Sequence, residues 1–265
     1  MDESYGICLL TYIPVRSEPS EKAEMISQLL FGELFTIMRT EKHRSFSRIK
    51  MVFDGYEGWI DTRTITPLNR ESFAGFNRTS PRIIKRPVML SSDDEEKQPM
   101  WLSAGSIVNT DNNTLKTGNR LFRIPGDACV GTVTDVRHTI ISSGRYFLNV
   151  PYLWGGRSSF GVDCSGMVQN LFRQAGITLP RDASQQALYG TTLSFLSEAR
   201  PGDLAFFDNV EGEITHVGIV YDNQAIIHAS GRVRIDRLDH QGIFSEELKS
   251  YTHKLRVVKR IFNEI

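Results

Sequence analysis

Short apolar-rich runs separated by polar turns mark residues 5–65, at Gly6–Tyr12, Leu34–Met38, Ser47–Phe53 and Gly58–Ile60. Runs of this length bounded by turn residues predict β-strands. Ser17-Glu18-Pro19-Ser20-Glu21-Lys22-Ala23-Glu24-Met25 reads as a polar loop, and Asp54-Gly55-Tyr56-Glu57-Gly58 as a tight turn feeding the strand of Trp59. Together these elements predict a small β-barrel over residues 1–70. Residues 71–132 repeat the texture at Pro87–Leu90, Met100–Leu102, Ser106–Val108 and Arg120–Ile124, which predicts a second small barrel. Within it, Asp93-Asp94-Glu95-Glu96 reads as a solvated loop.

The period changes near residue 133. Thr134 can cap a helix through Asp135–Asn149 that Pro151 ends. The glycine-rich Trp154-Gly155-Gly156 then leads to Gly161-Val162-Asp163-Cys164-Ser165-Gly166. Beyond Cys164, Met167, Val168, Leu171, Phe172 and Ala175 fall at helical spacing, with Gly176 as the C-cap. From Gly202 onward the pattern is strands: Asp203–Phe207, His216–Tyr221, Gln224–Ala229, Arg232–Leu238 and Lys254–Ile261. Helices followed by an antiparallel sheet define an α+β domain over residues 133–265.

Charge and cysteine usage remove several classes of function. Lys+Arg and Asp+Glu both count 31, so no net charge favours a nucleic-acid or membrane-surface partner. The chain is expected to be a monomer. No apolar stretch approaches the ~18 residues of a membrane span. Met1-Asp2-Glu3 lacks the positive start of a secretory signal. A cytoplasmic location is the expectation, or a periplasmic or exported one where a signal peptide has been removed. The three cysteines, Cys8, Cys129 and Cys164, are odd in number and have no CxxC spacing, which argues against a disulfide framework and a structural zinc site. Cys8 and Cys129 stand in apolar runs and read as small buried hydrophobes.

Cys164 differs because it opens a helix. Unpaired N–H groups and the positive end of the helix dipole favour an anion there, which would lower the thiol's pKa toward the nucleophilic thiolate. Taken alone, Cys164 reads more readily as a buried structural cysteine than as a nucleophile. The histidines change this. If Tyr221-Asp222-Asn223 is a three-residue hairpin loop, Val220 pairs with Gln224 and His216 pairs with His228, side by side on one face. One imidazole can then take the thiol proton while the other orients it. Zinc held by Cys164, His216 and His228 is an alternative, although zinc gives no reason for a cysteine at a helix start. His43, His138, His240 and His253 read as ordinary core or surface histidines.

Tyr152-Leu153-Trp154-Gly155-Gly156, Asp163-Cys164-Ser165-Gly166, Pro180-Arg181-Asp182, Arg200-Pro201-Gly202-Asp203-Leu204, His216-Val217-Gly218 and Ile227-His228-Ala229 occur in one order over roughly residues 133–262. Together they resemble the NlpC/P60 cysteine peptidases. The resemblance implies a papain-like core with Cys164 as nucleophile, His216 as general base and His228 as the orienting third residue, without metal or other cofactor.

The barrels then resemble bacterial SH3 domains. Glu24 to Glu33 and Gly55-Tyr56-Glu57-Gly58-Trp59 are similar to the first such domain of a subgroup, the γ-D-glutamyl-L-diamino acid endopeptidases of dipeptidyl-peptidase VI type. That subgroup cleaves murein peptides bearing a free N-terminal L-Ala. The resemblance implies an acidic residue after the cysteine helix that binds the substrate ammonium, and Asp182 matches. It also implies a Tyr and a Glu from the SH3 domain; Tyr56 fits the first and Glu24, ahead of Glu21 and Glu33, the second. Asp163, Ser165, Tyr152 and Ser184 are further substrate-binding candidates, Ser184 lying one place beyond the serine of the subgroup, where this chain has Ala183. From the residues alone Asp182 reads equally as a helix N-cap, Tyr152 as packing, and Trp59 and Trp154 as core. The expected function is a murein-recycling endopeptidase acting on L-Ala-γ-D-Glu-L-Lys or its meso-diaminopimelate counterpart. The alternatives are a broader cell-wall amidase or hydrolase, or a wall-binding module with an idle core.

Overall fold

The structure, a computed structural model, describes residues 4–41, 43, 45–78, 81–91, 99–109, 113–117 and 120–262. The acidic stretch Asp93–Glu96 lies outside them. The chain divides into two compact units, Met1–Val133 with Trp154–Phe160, and Thr134–Leu153 with Gly161–Ile265.

The first unit begins with a seven-stranded antiparallel sheet. Its strand order is Met25–Leu30, Tyr12–Arg16, Glu57–Asp61, Phe46–Met51, Leu34–Glu41, Ser4–Ile7 and Thr66–Leu68. The apolar run Gly6–Tyr12 is not one strand: the chain breaks between Ile7 and Tyr12 and re-pairs elsewhere. Met25–Leu30, at the end of the predicted loop, is a strand that sequence periodicity missed. Cys8, Ile13, Val15, Leu29, Phe35, Ile49, Met51 and Ile60 form this core. A helix, Arg70–Arg78, spans the boundary drawn at residue 70, with Phe73 stacked on Tyr5 at 4.0 Å.

A second core, including Phe31, Ile84, Leu90, Leu102 and Phe122, gathers three two-stranded ladders: Val88–Leu90 with Met100–Leu102, Arg82–Ile83 with Ile107–Val108, and Thr114–Thr117 with Arg120–Arg123. Among the described residues these ladders share a core without sharing a continuous sheet.

The segment Trp154–Phe160 belongs to this first unit. Its anchor is Arg157, whose guanidinium reaches Glu33 Oε2 at 3.1 Å and donates to the Gln28 carbonyl at 2.7 Å, with Arg157 and Glu33 at 0% and 1% side-chain exposure. The Arg157 N–H donates to Gln28 Oε1, and the Ser159 N–H donates to Ser103 Oγ. Gly155 has φ +75° and a Cβ there would stand 2.2 Å from the Met25 carbonyl oxygen, so the position requires glycine.

The second unit is built on a sheet ordered Thr191–Thr192, Ser250–Arg260, Leu204–Asp208, Ile214–Asp222, Ala225–Ser230, Arg232–Asp239 and Gly242–Ser245. Gly242–Ser245 also pairs back to Ser250–Arg260, so six of these strands close into a barrel. Strand alternation gives each face its residues. Ala205, Phe207, Val220, Ile226, Leu238, Ile243 and Val258 form one apolar cluster. Leu204, Phe206, Val217, Ile219, Ile227 and Ala229 point the other way and are buried.

The helix Cys164–Gln174 packs on the strands Ile214–Asp222 and Ala225–Ser230 and is buried on all sides. Its polar residues are therefore bonded inside the domain: Gln169 Nε2 donates to the Leu179 carbonyl, and Gln174 Nε2 to Asn170 Oδ1. Ahead of it lies the helix Val136–Gly144, capped by Asp135, not by Thr134. Asp135 accepts from the His138 N–H at 2.9 Å.

The histidine hairpin has a different register from that expected. Asp222 pairs with Ala225, leaving Asn223-Gln224 as a two-residue turn, and a register shift between Val220 and Asp222 places His228 opposite Gly218. His216 and His228 still share a face, but diagonally. Gly218 makes this possible: a Cβ there would lie 2.6 Å from Ile226 Cδ1 and 3.0 Å from His228 Cβ. Gly218→Ala is expected to lower stability by about 1–3 kcal/mol through overpacking and to reduce turnover by displacing His228. Urea denaturation and kcat together check this; an unchanged kcat would mean that His228 tolerates the methyl group.

Candidate active site

Cys164 is the first residue of its helix, and Asp163 caps it. Asp163 Oδ1 accepts from the Gly166 N–H at 2.7 Å and from Arg181 Nη1 at 3.0 Å, while Arg181 Nη2 donates to Oδ2. Arg181 also donates to Ser165 Oγ at 2.9 Å. Asp163, Ser165 and Arg181 are all buried. The two substrate-binding candidates Asp163 and Ser165 therefore serve the interior, where they hold the start of the cysteine helix.

The backbone N–H groups of Ser165 and Val217 both hydrogen-bond the Cys164 sulfur, so the thiol lies beside the strand that carries His216. Burial, with the charge of Asp163 added, pushes the thiol's pKa up to about 11 against the pull of those N–H groups. This reverses the expectation of a thiol lowered by its helix terminus. The helix start is not at the surface, and desolvation outweighs the dipole. Tyr152 is held near by the same environment: burial first, then Cys164 and Asp163, push its phenol up to about 12.

His216 Nε2 lies 3.0 Å from His228 Nδ1, with the rings at 89° to each other. His228 Nε2 lies 3.1 Å from Asp236 Oδ2, and Arg234 Nε holds the same carboxylate oxygen at 2.8 Å. Burial works against the Asp236 charge, but His228 and Arg234 bring its pKa below the usual carboxylate range. The result is a line of polar groups, His216, His228 and Asp236, inside an apolar barrel. Since Nε2 of His216 faces His228, its Nδ1 is the nitrogen left for a proton from sulfur. An anionic Asp236 accepting from His228 Nε2–H leaves His228 Nδ1 as an acceptor for His216 Nε2–H, which fixes both tautomers. Sequence reasoning found both histidines but not Asp236, eight residues beyond His228 on the next strand.

His253 is the second omission. Its ring stacks on His216 at 4.1 Å and 26°, and its Nδ1 lies 2.9 Å from Thr252 Oγ1. Burial and the neighbouring His228 lower its pKa to about 4. Burial first, then His253 and His228, hold His216 well below the ordinary histidine value. Both rings are therefore uncharged in the folded protein at neutral pH, whereas an unfolded histidine takes up a proton near pH 6.5. The unfolded state then binds more protons, so stability is fully present above about pH 6.5 and falls as the pH drops toward about 4. A lower urea midpoint at about pH 5 than at about pH 7.5, with the difference reduced in His253→Phe, is the expected result.

The other candidates are placed as follows. Asp182 stands at the N-cap of the short helix Ala183–Gln186 but makes no capping bond with its side chain, so capping does not account for the carboxylate. Ser184 is exposed on that helix. Gln186, one turn on, donates to the Ser165 and Pro180 carbonyls and ties the segment to the start of the cysteine helix. In the first unit, Tyr56 packs against the barrel core. Glu24 accepts from the indole N–H of Trp154. Trp154 is 60% exposed, so the core reading fails for it, while Trp59 is buried. Glu33 is removed as an alternative to Glu24 by its buried pairing with Arg157, and Glu21 pairs with Arg63 in solvent. Cys8 and Cys129 are buried, with thiols raised by desolvation.

A helix-borne thiol against an antiparallel sheet that presents a histidine backed by a second polar residue defines a papain-like cysteine peptidase. Residues 149–252 match the NlpC/P60 family and residues 15–65 match the bacterial dipeptidyl-peptidase SH3 domain, and the chain belongs to the NlpC/P60 cysteine peptidases with such an N-terminal domain. The gamma-D-glutamyl-L-lysine dipeptidyl-peptidase of Bacillus subtilis is 29% identical over 242 residues, covering 86% of this chain and 76% of that protein. Its namesake from Bacillus cereus is 35% identical over 211 residues, 73% of this chain and 63% of that protein. The crystal structure of an NlpC/P60 family protein from Bacillus cereus superposes with a TM-score of 0.81 at 18% identity, over 97% of this chain and 99% of that one, and shares the fold.

Proposed function

We propose that this peptidase hydrolyses the γ-D-glutamyl–L-diamino acid bond of murein peptides that carry a free N-terminal L-Ala, releasing L-Ala-γ-D-Glu during wall-peptide recycling. The observation that supports this most is similarity across both the catalytic and SH3 regions to relatives named gamma-D-glutamyl-L-lysine dipeptidyl-peptidase. In this account Cys164 passes its proton to His216 Nδ1 as sulfur attacks the γ-carbonyl. The Cys164 N–H and the Tyr152 hydroxyl stabilise the oxyanion. His216 then protonates the leaving amine, and water hydrolyses the thioester with His216 as base. His228 orients His216, and Asp236 fixes His228.

Asp182 receives the ammonium of the N-terminal L-Ala. A charge-assisted bond to that group cannot form with an acylated stem, so selectivity follows from the carboxylate. Mass-spectrometric analysis with L-Ala-γ-D-Glu-L-Lys and its N-acetylated form tests this. Release of L-Ala-γ-D-Glu from the free peptide is expected, with kcat/KM lower by about 10²-fold or more for the acetylated one. Equal rates would point instead to a broader wall hydrolase.

A further inference from the structure

We propose that His216, His228 and His253 form a binding site for a zinc-like divalent transition metal, and that occupation of this site switches the peptidase off. The metal-binding half stands on the three side chains alone. The inhibitory half also rests on His216 being the general base.

The donor atoms of the three rings all lie within 4.8 Å of one another. Two of them are already close to coordination spacing: His216 Nε2 and His228 Nδ1 are 3.0 Å apart. Two nitrogens bound to one tetrahedral zinc at about 2.0–2.1 Å each stand roughly 3.3 Å apart. The outer partner is also present. His228 is bonded through its other nitrogen to Asp236, which Arg234 fixes in turn. A carboxylate behind a ligating histidine sets ring orientation and raises ligand basicity at zinc sites. His253 has its Nδ1 bonded to Thr252 Oγ1, which leaves Nε2 as its donor. Its ring now lies face-to-face with His216 and has to turn its edge inward to bind. It is only partly buried. Three imidazoles and an open fourth position suit zinc, cobalt or copper, and do not suit magnesium or calcium.

Cys164 is not required as a ligand. This separates the proposed site from the adduct that any reactive thiolate makes with a soft metal. Proton balance explains the inhibition. In the metal-free hairpin His216 carries its proton on Nε2 and keeps a lone pair on Nδ1. A metal on Nε2 displaces that proton to Nδ1, so the ring stays neutral but can no longer accept from the thiol. His253, which takes no part in the proton path, becomes the ligand that completes the site.

The test uses the metal-free full chain, wild type and Cys164→Ala, titrated with zinc against a chromophoric chelator and with cobalt(II) followed by its visible spectrum. One metal per chain is expected in both proteins, with similar affinity and a tetrahedral cobalt spectrum lacking thiolate charge transfer. His253→Phe and His253→Gln are each expected to weaken zinc by at least about tenfold, and Asp236→Asn by about 10–100-fold. Zinc is expected to raise the Tm of Cys164→Ala but not that of Cys164→Ala/His253→Gln. In the wild type, peptidase activity should fall in proportion to occupancy and return on chelation. Binding lost in Cys164→Ala would identify a thiolate adduct and overturn the site. His253 variants that bind as tightly as wild type would overturn it too. Stoichiometric zinc with full activity would overturn the switch while leaving the peptidase assignment intact.

Discussion

Cys164→Ser is expected to reduce kcat/KM for L-Ala-γ-D-Glu-L-Lys by about 10⁴-fold or more, comparable to the loss of a nucleophile from other triads. The substitution changes one atom in a buried position, so the fold should survive it. The size of the loss follows from the environment. Burial keeps the resting thiol protonated, with a pKa of about 11. Attack therefore depends on transfer to His216 during the step itself. A serine hydroxyl is harder to deprotonate than a thiol, and the site has no charged base to help it. His216→Ala should fall into the same range, because the two residues act as a unit. Turnover followed by mass spectrometry decides the matter. A Cys164→Ser protein that retains even a per cent of activity would move the chemistry to another group.

Arg181→Met is the second large effect, this time on stability. Arg181 and Asp163 are a buried pair with side-chain exposures of 2% and 8%. Removing the cation leaves a buried carboxylate without its ionic partner, which costs about 3–5 kcal/mol. Urea denaturation should show this directly, and activity should drop with it, since Asp163 is the cap that sets the start of the cysteine helix. The double variant Arg181→Met/Asp163→Asn should recover part of the stability, because the uncompensated charge is gone while the amide oxygen can still cap. If the single variant loses less than about 1 kcal/mol, the pair is not what holds the helix start.

Much of the site was legible because its signals are local. The cysteine helix announces itself through Met167, Val168, Leu171 and Phe172 at helical spacing, and Gly176 follows with φ +83°. The shared face of His216 and His228 was also readable, since parity along the two strands survives a shift of two in their pairing. The pairing itself was not readable. It depends on whether the chain turns over Tyr221-Asp222-Asn223 or over Asn223-Gln224, and the irregularity between Val220 and Asp222 accompanies the second. Asp236 and His253 were missed for different reasons. Asp236 lies diagonal to His228 across the hairpin of Ala225–Ser230 and Arg232–Asp239, a register that was not followed beyond the first hairpin. His253 reaches His216 only once the strands are ordered and Gly242–Ser245 pairs with Ser250–Arg260, and no spacing along the chain encodes such closure. The thiol's raised pKa was missed because a helix terminus predicts charge stabilisation only where water remains. In the N-terminal unit, the single predicted strand at Gly6–Tyr12 became two because a continuous apolar run has no mark for a corner.

Arg157 has a consequence for portability. Catalytic modules are commonly moved between proteins by cutting where composition changes, here near residue 133. A graft of residues 134–265 would carry Trp154–Phe160 away from Gln28, Glu33 and Ser103, the groups that satisfy this stretch in the intact chain. A guanidinium adapted to complete burial would then face solvent or an apolar neighbour, only seven residues before the nucleophile. A transplant that keeps the contacts of Trp154–Phe160 therefore has to bring Gln28, Glu33 and Ser103 along.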